Sequence, residues 1–255
     1  MDFTDKPLRS FGRVKGRALK PRQAGLVDAL LPHLAIDLEA LNPPPFTGEV
    51  DAVEPQTEGA AANSPLRLTS FATSPVNGGG YARLILEIGF GGGEHLVAQA
   101  AANPDALFLG AEPFLNGVGS CLRHIEEAGV TNVRLHHGDA RDVLAALADA
   151  SLDRIDILFP DPWPKTRHHK RRLIQPEFLS ELARVLKSGA EVRFATDWAH
   201  YAAHTLEVFT RDQRFTWSAE RAEDWRSPWP GHTPTRYETK KLGDCAPIWL
   251  RFYRV

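Results

Sequence analysis

From residue 83 onward, short apolar runs and helical segments alternate five times. RLILEI is followed by HLVAQAA, ALFLGAE by FLNGVGSCLRHIEEAG, VRLHHGDA by DVLAALADA, RIDILFPD by PEFLSELARVLKSG, and AEVRFATD by WAHYAAHTLEVF. Strand–helix alternation of this kind predicts an α/β fold with a doubly wound, mostly parallel sheet. Its strands are buried on both faces and so read as continuous apolar runs. The C-terminal PIWLRFYRV has no helix after it and is expected to be an added edge strand, possibly antiparallel.

Upstream the pattern is absent. Residues 1–23 carry seven Lys or Arg against Asp2 and Asp5, which predicts a basic arm, solvated in its plainest reading. GLVDALLPHLAI predicts a helix ending near Pro32, and residues 42–80 are rich in Pro, Gly, Ser and Ala, as in a linker. The expected division is therefore residues 1–80 as arm, short helix and linker, and residues 81–255 as the α/β unit. A net charge of −2 means that any polyanionic partner must be met by local cationic surface. Cys121 and Cys245 have no metal or redox spacing, and with no signal peptide or long apolar run the expectation is a cytoplasmic protein without membrane attachment. No metal is expected: His200 and His204 have helical spacing but no third ligand.

In a doubly wound sheet, ligands bind at the carboxyl ends of the strands. Each of the five strand ends here carries a carboxylate: Glu87, Glu112, Asp139, Asp161 and Asp197. LEIGFGGGE places Gly89 and its neighbours where the first strand turns into a helix. A dinucleotide fingerprint needs a third glycine where Glu94 stands, and there is no G-K-[ST] for a P-loop. Glu87 in the turn would repel a pyrophosphate and suits a cofactor with a cationic end, such as S-adenosylmethionine. Glu112 can accept from ribose hydroxyls and Asp139 from an adenine amino group, although each alone could be a helix cap.

The fourth strand end reads FPDPWPK and runs into TRHHKRR. Two prolines fix the backbone around Asp161, and Trp163 offers a stacking face. The cationic run can neutralise phosphates while a guanine edge supplies N–H donors for the carboxylate. A nucleic acid meets both demands at once. An NAD-dependent oxidoreductase and a non-catalytic RNA-binding domain stand as alternatives.

On LEIGFGGGEHL, FLGAEPFLNGVGSCL, GDARDVL, FPDPWPKTRHHKRRL, FATDWAHYA and TPTRYETK, the chain resembles the bacterial tRNA (guanine-N7-)-methyltransferase family, a class I S-adenosylmethionine-dependent group. The resemblance runs from residue 9 to the C-terminus and is weakest across 35–80. It implies methyl transfer to N7 of the variable-loop guanine, position 46, in tRNA. It implies Asp161 as the catalytic residue and Glu87, Gly89, Glu112, Asp139 and Asp161 as the cofactor site. Lys165, Asp197, Thr235, Arg236, Tyr237 and Glu238 fall on substrate-binding positions. Arg167, His168, His169, Lys170, Arg171 and Arg172 fall on the RNA-contacting run. The late motif reads TRYE where TKFE is usual, which keeps the charge but not the hydrogen-bond shape.

Overall fold

The computed structural model describes residues 16–41 and 81–255. Seven strands form one sheet: β1 (Arg83–Ile88), β2 (Ala106–Ala111), β3 (Val133–His136), β4 (Leu152–Leu158), β5 (Leu186–Thr196), β6 (Phe215–Trp217) and β7 (Ile248–Arg254). Their order across the sheet is β3-β2-β1-β4-β5-β7-β6. The first five run parallel, and β7 pairs antiparallel with both β5 and β6. The chain reverses direction across the sheet between β1 and β4, the switch point at which such folds open a ligand crevice.

Alternate residues of the central strands feed two separate cores. Ile85, Ala106 and Phe108 pack with α4 (Glu94–Ala102) and α5 (Leu115–Ala128) on one face. Leu86, Ile88, Leu107 and Leu109 pack on the other. There they meet α6 (Ala140–Ala146) and α7 (Pro176–Val185), while α8 (Ala199–Arg211) covers β5 and β7. Helix starts and stops follow local chemistry. Pro176 opens α7 where its missing N–H costs nothing, and Gly129 closes α5 in the left-handed region at φ 65°.

Two expectations are corrected. The helix expected to end near Pro32 is α1 (Pro21–Ala29), and Pro32 lies in the first turn of a separate short helix, α2 (Leu31–Leu34). Ala35 then bridges to Leu135, beside β3, and α3 (Leu38–Leu41) packs against α6. The C-terminal strand is antiparallel but not an edge, since β6 pairs outside it. Residues 16–23 of the expected basic arm are docked: Asn116 donates to the Arg17 carbonyl at 2.9 Å, and Arg22 pairs with Glu126 at 2.8 Å. Leu26, Val27 and Leu30 of α1 join the core beside α5. Residues 1–15 of the arm and the Pro/Gly-rich stretch 42–80 lie outside the described residues.

Candidate active site

A cavity of about 430 Å³ opens at the carboxyl ends of β1, β2 and β4. That volume lies in the range of small-molecule and cofactor sites. Its floor is the turn between β1 and α4. Gly89 and Gly91 hold φ of 74° and 56°, and a Cβ on either would meet no protein atom within 4 Å. The turn therefore exposes bare backbone to the cavity, in a conformation that side chains resist.

Glu112 locks the turn to β2. Its Oε2 accepts the Gly91 N–H at 2.8 Å and its Oε1 the Phe114 N–H at 2.9 Å. Each carboxylate oxygen takes one amide and keeps a lone pair, the donor-accepting capacity that a ribose diol requires. Glu87, buried at the end of β1, lines the same floor. Its Oε2 meets Nδ1 of buried His95 at 2.8 Å. Asp139 lines the wall while capping α6, its side chain accepting from the Arg141 N–H at 3.1 Å.

The loop after β4 brings Asp161 to the mouth of this cavity. Two residues flanking it, Phe159 and Trp163, stand at φ 51° and 43°, a region that non-glycine residues occupy at a cost. Strain on both sides of one carboxylate marks a loop held in shape by its surroundings. The Phe159 N–H donates to the Ala195 carbonyl at 2.7 Å, and the Arg171 guanidinium lies 5.0 Å over the Trp163 ring.

The electrostatics favour a cationic guest. Burial holds the Glu87 carboxyl above its ordinary range, against the opposing pull of the His95 imidazole. Burial also raises Glu112, opposed by its two amide bonds and reinforced by the Asp161 charge. Desolvation raises Asp161 too, although its side chain still meets solvent at the cavity mouth. Burial that raises three carboxylates of one cavity favours a guest carrying positive charge.

Residues 81–249 match a family model described as a putative methyltransferase. The chain is 49% identical over 249 residues to the tRNA (guanine-N(7)-)-methyltransferase of Caulobacter sp. (strain K31), covering 98% of this chain and 96% of that protein. It is 44% identical to the protein of the same name from Hyphomonas neptunium, covering 96% and 99%. The chain belongs to the tRNA (guanine-N(7)-)-methyltransferase family. In fold it is similar to the 16S rRNA methyltransferase KamB, with a TM-score of 0.50 at 15% identity, over 68% of this chain and 88% of that one.

In this methyltransferase the remaining expected site residues separate into groups. Thr235, Arg236 and Tyr237 line the cavity, with Arg236 and Tyr237 exposed at its rim. They begin α10 (Arg236–Lys240), where a capping box pairs the Thr235 side chain with the Glu238 N–H and the Glu238 side chain with the Thr235 N–H. Glu238 also meets Nε2 of His232 at 2.9 Å. Lys165 is exposed and does not line the cavity. Asp197 does not line it either; its Oδ2 accepts the Gly243 N–H at 2.8 Å and its carbonyl the Cys245 N–H at 3.0 Å.

The cationic run forms a short 3-10 helix, Thr166–Arg171, on which Arg167 and Lys170 are exposed. Desolvation and the surrounding cations push His168 and His169 below the ordinary histidine range. Arg172 stands apart from the exposed members of the run: it is 2% exposed. Its Nε donates to the Pro162 carbonyl at 2.9 Å, Nη1 meets Nδ1 of His200 at 3.1 Å, and the guanidinium lies 4.8 Å over the Tyr201 ring. Arg172 thus fastens the Asp161 loop to α8. His200 receives that bond, and His204 meets the Ile174 carbonyl at 2.8 Å, so neither is aimed at a common ligand.

Sequence reasoning passed over two residues near the cavity. Gln23 of α1 lines it, donating to the Ser120 hydroxyl at 3.0 Å, and no sequence pattern marks that. His95 follows Glu94 at the start of α4, and its contact with Glu87 depends on the turn between them.

Proposed function

We propose that this chain methylates N7 of guanine in tRNA, the activity that its relatives' names carry, with S-adenosylmethionine as the methyl donor and the variable-loop guanine at position 46 as the acceptor. The observation that carries the reading is one cavity whose acidic floor at Glu87 and Glu112 opens directly onto Asp161 and Trp163.

S-adenosylmethionine, when bound, supplies an electrophilic methyl on a positively charged sulfur. The residues present fit it. Glu87 meets a cationic amino group, Glu112 takes ribose hydroxyls, and the glycine backbone admits close approach. Guanine N7 has a free lone pair, so the chain has no proton to remove before transfer; its task is alignment and charge placement. Asp161 accepts the N–H donors of the guanine Watson–Crick edge and stabilises the positive charge that grows on the ring. Trp163 offers a face to the base, and Arg171, Arg236 and Lys240 stand at the rim where phosphates pass. Glu94 in place of a third glycine disfavours the dinucleotide-dependent oxidoreductase, and a purely RNA-binding domain would have no use for the acidic floor.

No helix among the described residues is long and apolar enough to cross a membrane. We assign the enzyme to the cytoplasm, where tRNA is found. The deciding assay incubates the protein with labelled S-adenosylmethionine and bulk tRNA, then maps the modified nucleoside. The expected product is 7-methylguanosine in the variable loop; label in another nucleoside, or none at all, overturns the reading.

A further inference from the structure

Behind the cavity floor lies a buried polar chain. It starts at Glu87, whose Oε2 meets His95 Nδ1 at 2.8 Å; His95 is 1% exposed and does not line the cavity. On β4, Asp156 is buried and takes Nε and Nη2 of Arg154 at 3.1 and 3.0 Å. Arg154 reaches Gln99, and Gln99 donates to the Gly231 carbonyl at 2.7 Å. The next residue, His232, has its ring 5.5 Å from that of His95 and meets Glu238 at 2.9 Å. Glu238 closes the capping box that sets Thr235, and Thr235 to Tyr237 line the same cavity, with Arg236 3.8 Å from Glu94 at the start of α4.

Ligand-type atoms of Glu87, His95 and Asp156 lie within 4.8 Å of one another, as in a cation site. A cation is not needed to explain them. Arg154 already faces Asp156, the His95 imidazole faces Glu87, and the four groups reach zero net charge when His95 is protonated, which is how buried ions are tolerated. Burial pushes the His95 ring down, but the Glu87 charge and hydrogen bond outweigh it and leave the ring above its ordinary range. At 2.8 Å the Nδ1–Glu87 contact is a hydrogen bond that fixes the orientation of the carboxylate.

We infer that His95 is a positioning residue joining two parts of the cavity wall: through Nδ1 it aims the Glu87 carboxylate at the cofactor's cationic end, and through its packing on His232 it holds the Thr235–Glu238 segment, whose Thr235 to Tyr237 line the same cavity. The inference rests on the proposed methyl-transfer reading. A second link, Gln99 to the Gly231 carbonyl, fixes the same loop from the same helix. Trp229 and Trp249 wall His232 at 5.6 and 4.5 Å, so the imidazole has little room to turn.

The two arms of His95 separate by substitution. His95→Asn places an amide N–H near the Nδ1 position and keeps a donor for Glu87, but removes the ring that packs on His232. His95→Ala removes both, and His232→Ala spares the Glu87 bond while removing the second arm together with the His232–Glu238 contact. Affinity for S-adenosylhomocysteine is read by calorimetry, and kcat and tRNA KM by methyl transfer at saturating cofactor. His95→Ala is expected to weaken S-adenosylhomocysteine about ten-fold, the scale of one charge-assisted hydrogen bond. His95→Asn should restore most of that loss. All three variants should raise the tRNA KM or lower kcat by about ten-fold. If His95→Asn and His95→Ala lose cofactor affinity equally, the aiming role is wrong. If His232→Ala leaves KM and kcat at parent values, the link to the Thr235–Glu238 segment is wrong. Should His95→Ala not fold, His95→Leu, which fills the space without a donor, takes its place in that comparison. A parent protein that binds no S-adenosylhomocysteine would defeat the methyl-transfer reading instead.

Discussion

Two adjacent arginines should behave oppositely. Arg171 lines the cavity over Trp163, whereas Arg172 is buried beneath the Asp161 loop. Arg172→Ala removes a charge-assisted bond to the Pro162 carbonyl, which carries about 1.5–3 kcal/mol. It also removes a desolvated cation–π contact with Tyr201, about 2 kcal/mol more. The guanidinium's own burial cost is relieved, which offsets part of the sum. A net loss of about 2–4 kcal/mol lowers the Tm of a chain this size by roughly 5–15 °C. Pro162 adjoins Asp161, so kcat should fall as well. The slope of log tRNA affinity against log salt should not change, because no phosphate contact is lost. Arg171→Ala should do the reverse: Tm nearly constant, and a slope shallower by about 0.7–0.9. The assays are a thermal melt and tRNA binding titrations at several salt concentrations, run on both variants and the parent. If Arg172→Ala flattens the salt slope and leaves the Tm unchanged, the buried clamp is refuted and Arg172 belongs to the RNA surface.

Saturating S-adenosylhomocysteine at a hundred times its Kd should stabilise the protein by about 2.7 kcal/mol and raise its Tm by roughly 5–10 °C, while NAD should not; an equal shift with NAD would reverse the cofactor assignment. Asp161→Asn should cut kcat about a hundred-fold or more while leaving S-adenosylhomocysteine binding within a few-fold; near-parental turnover would remove Asp161 from the chemistry. Burial raises Glu87, Glu112 and Asp161, so the folded apo-protein favours their protonated forms and carries an electrostatic cost once pH passes their folded values. A cationic ligand binds the ionised forms and relieves that cost. The thermal shift from S-adenosylhomocysteine should therefore grow as pH rises from about 4, the ordinary carboxylate range, towards neutrality; a shift that shrinks over that interval would contradict the acidic floor.

What the sequence discloses depends on how far apart the deciding residues are. RLILEI predicts β1 with its observed bounds because a strand buried on both faces is mostly apolar, here Leu84, Ile85, Leu86 and Ile88. The five strand-end carboxylates are equally plain, since the fold itself places strand ends together. Their fates are not. Asp139 and Asp197 look alike in sequence, yet one lines the cavity and the other takes the amide of Gly243, 46 residues away. β6 escapes because three residues, of which only Phe215 is buried, carry no period. Arg172 is the sharpest case. Within TRHHKRR nothing distinguishes it from Arg171, and a cationic run invites one reading for all its members. Its burial is decided by Tyr201 and His200 on α8, which supply a ring face and an acceptor about 30 residues downstream. The run therefore divides its labour. Arg167 and Lys170 face solvent, Arg171 faces the cavity, and Arg172 faces inward, where it holds the strained loop that presents Asp161. A basic stretch beside a carboxylate then has two physical reasons to exist, one to meet phosphates and one to keep that carboxylate where the base arrives.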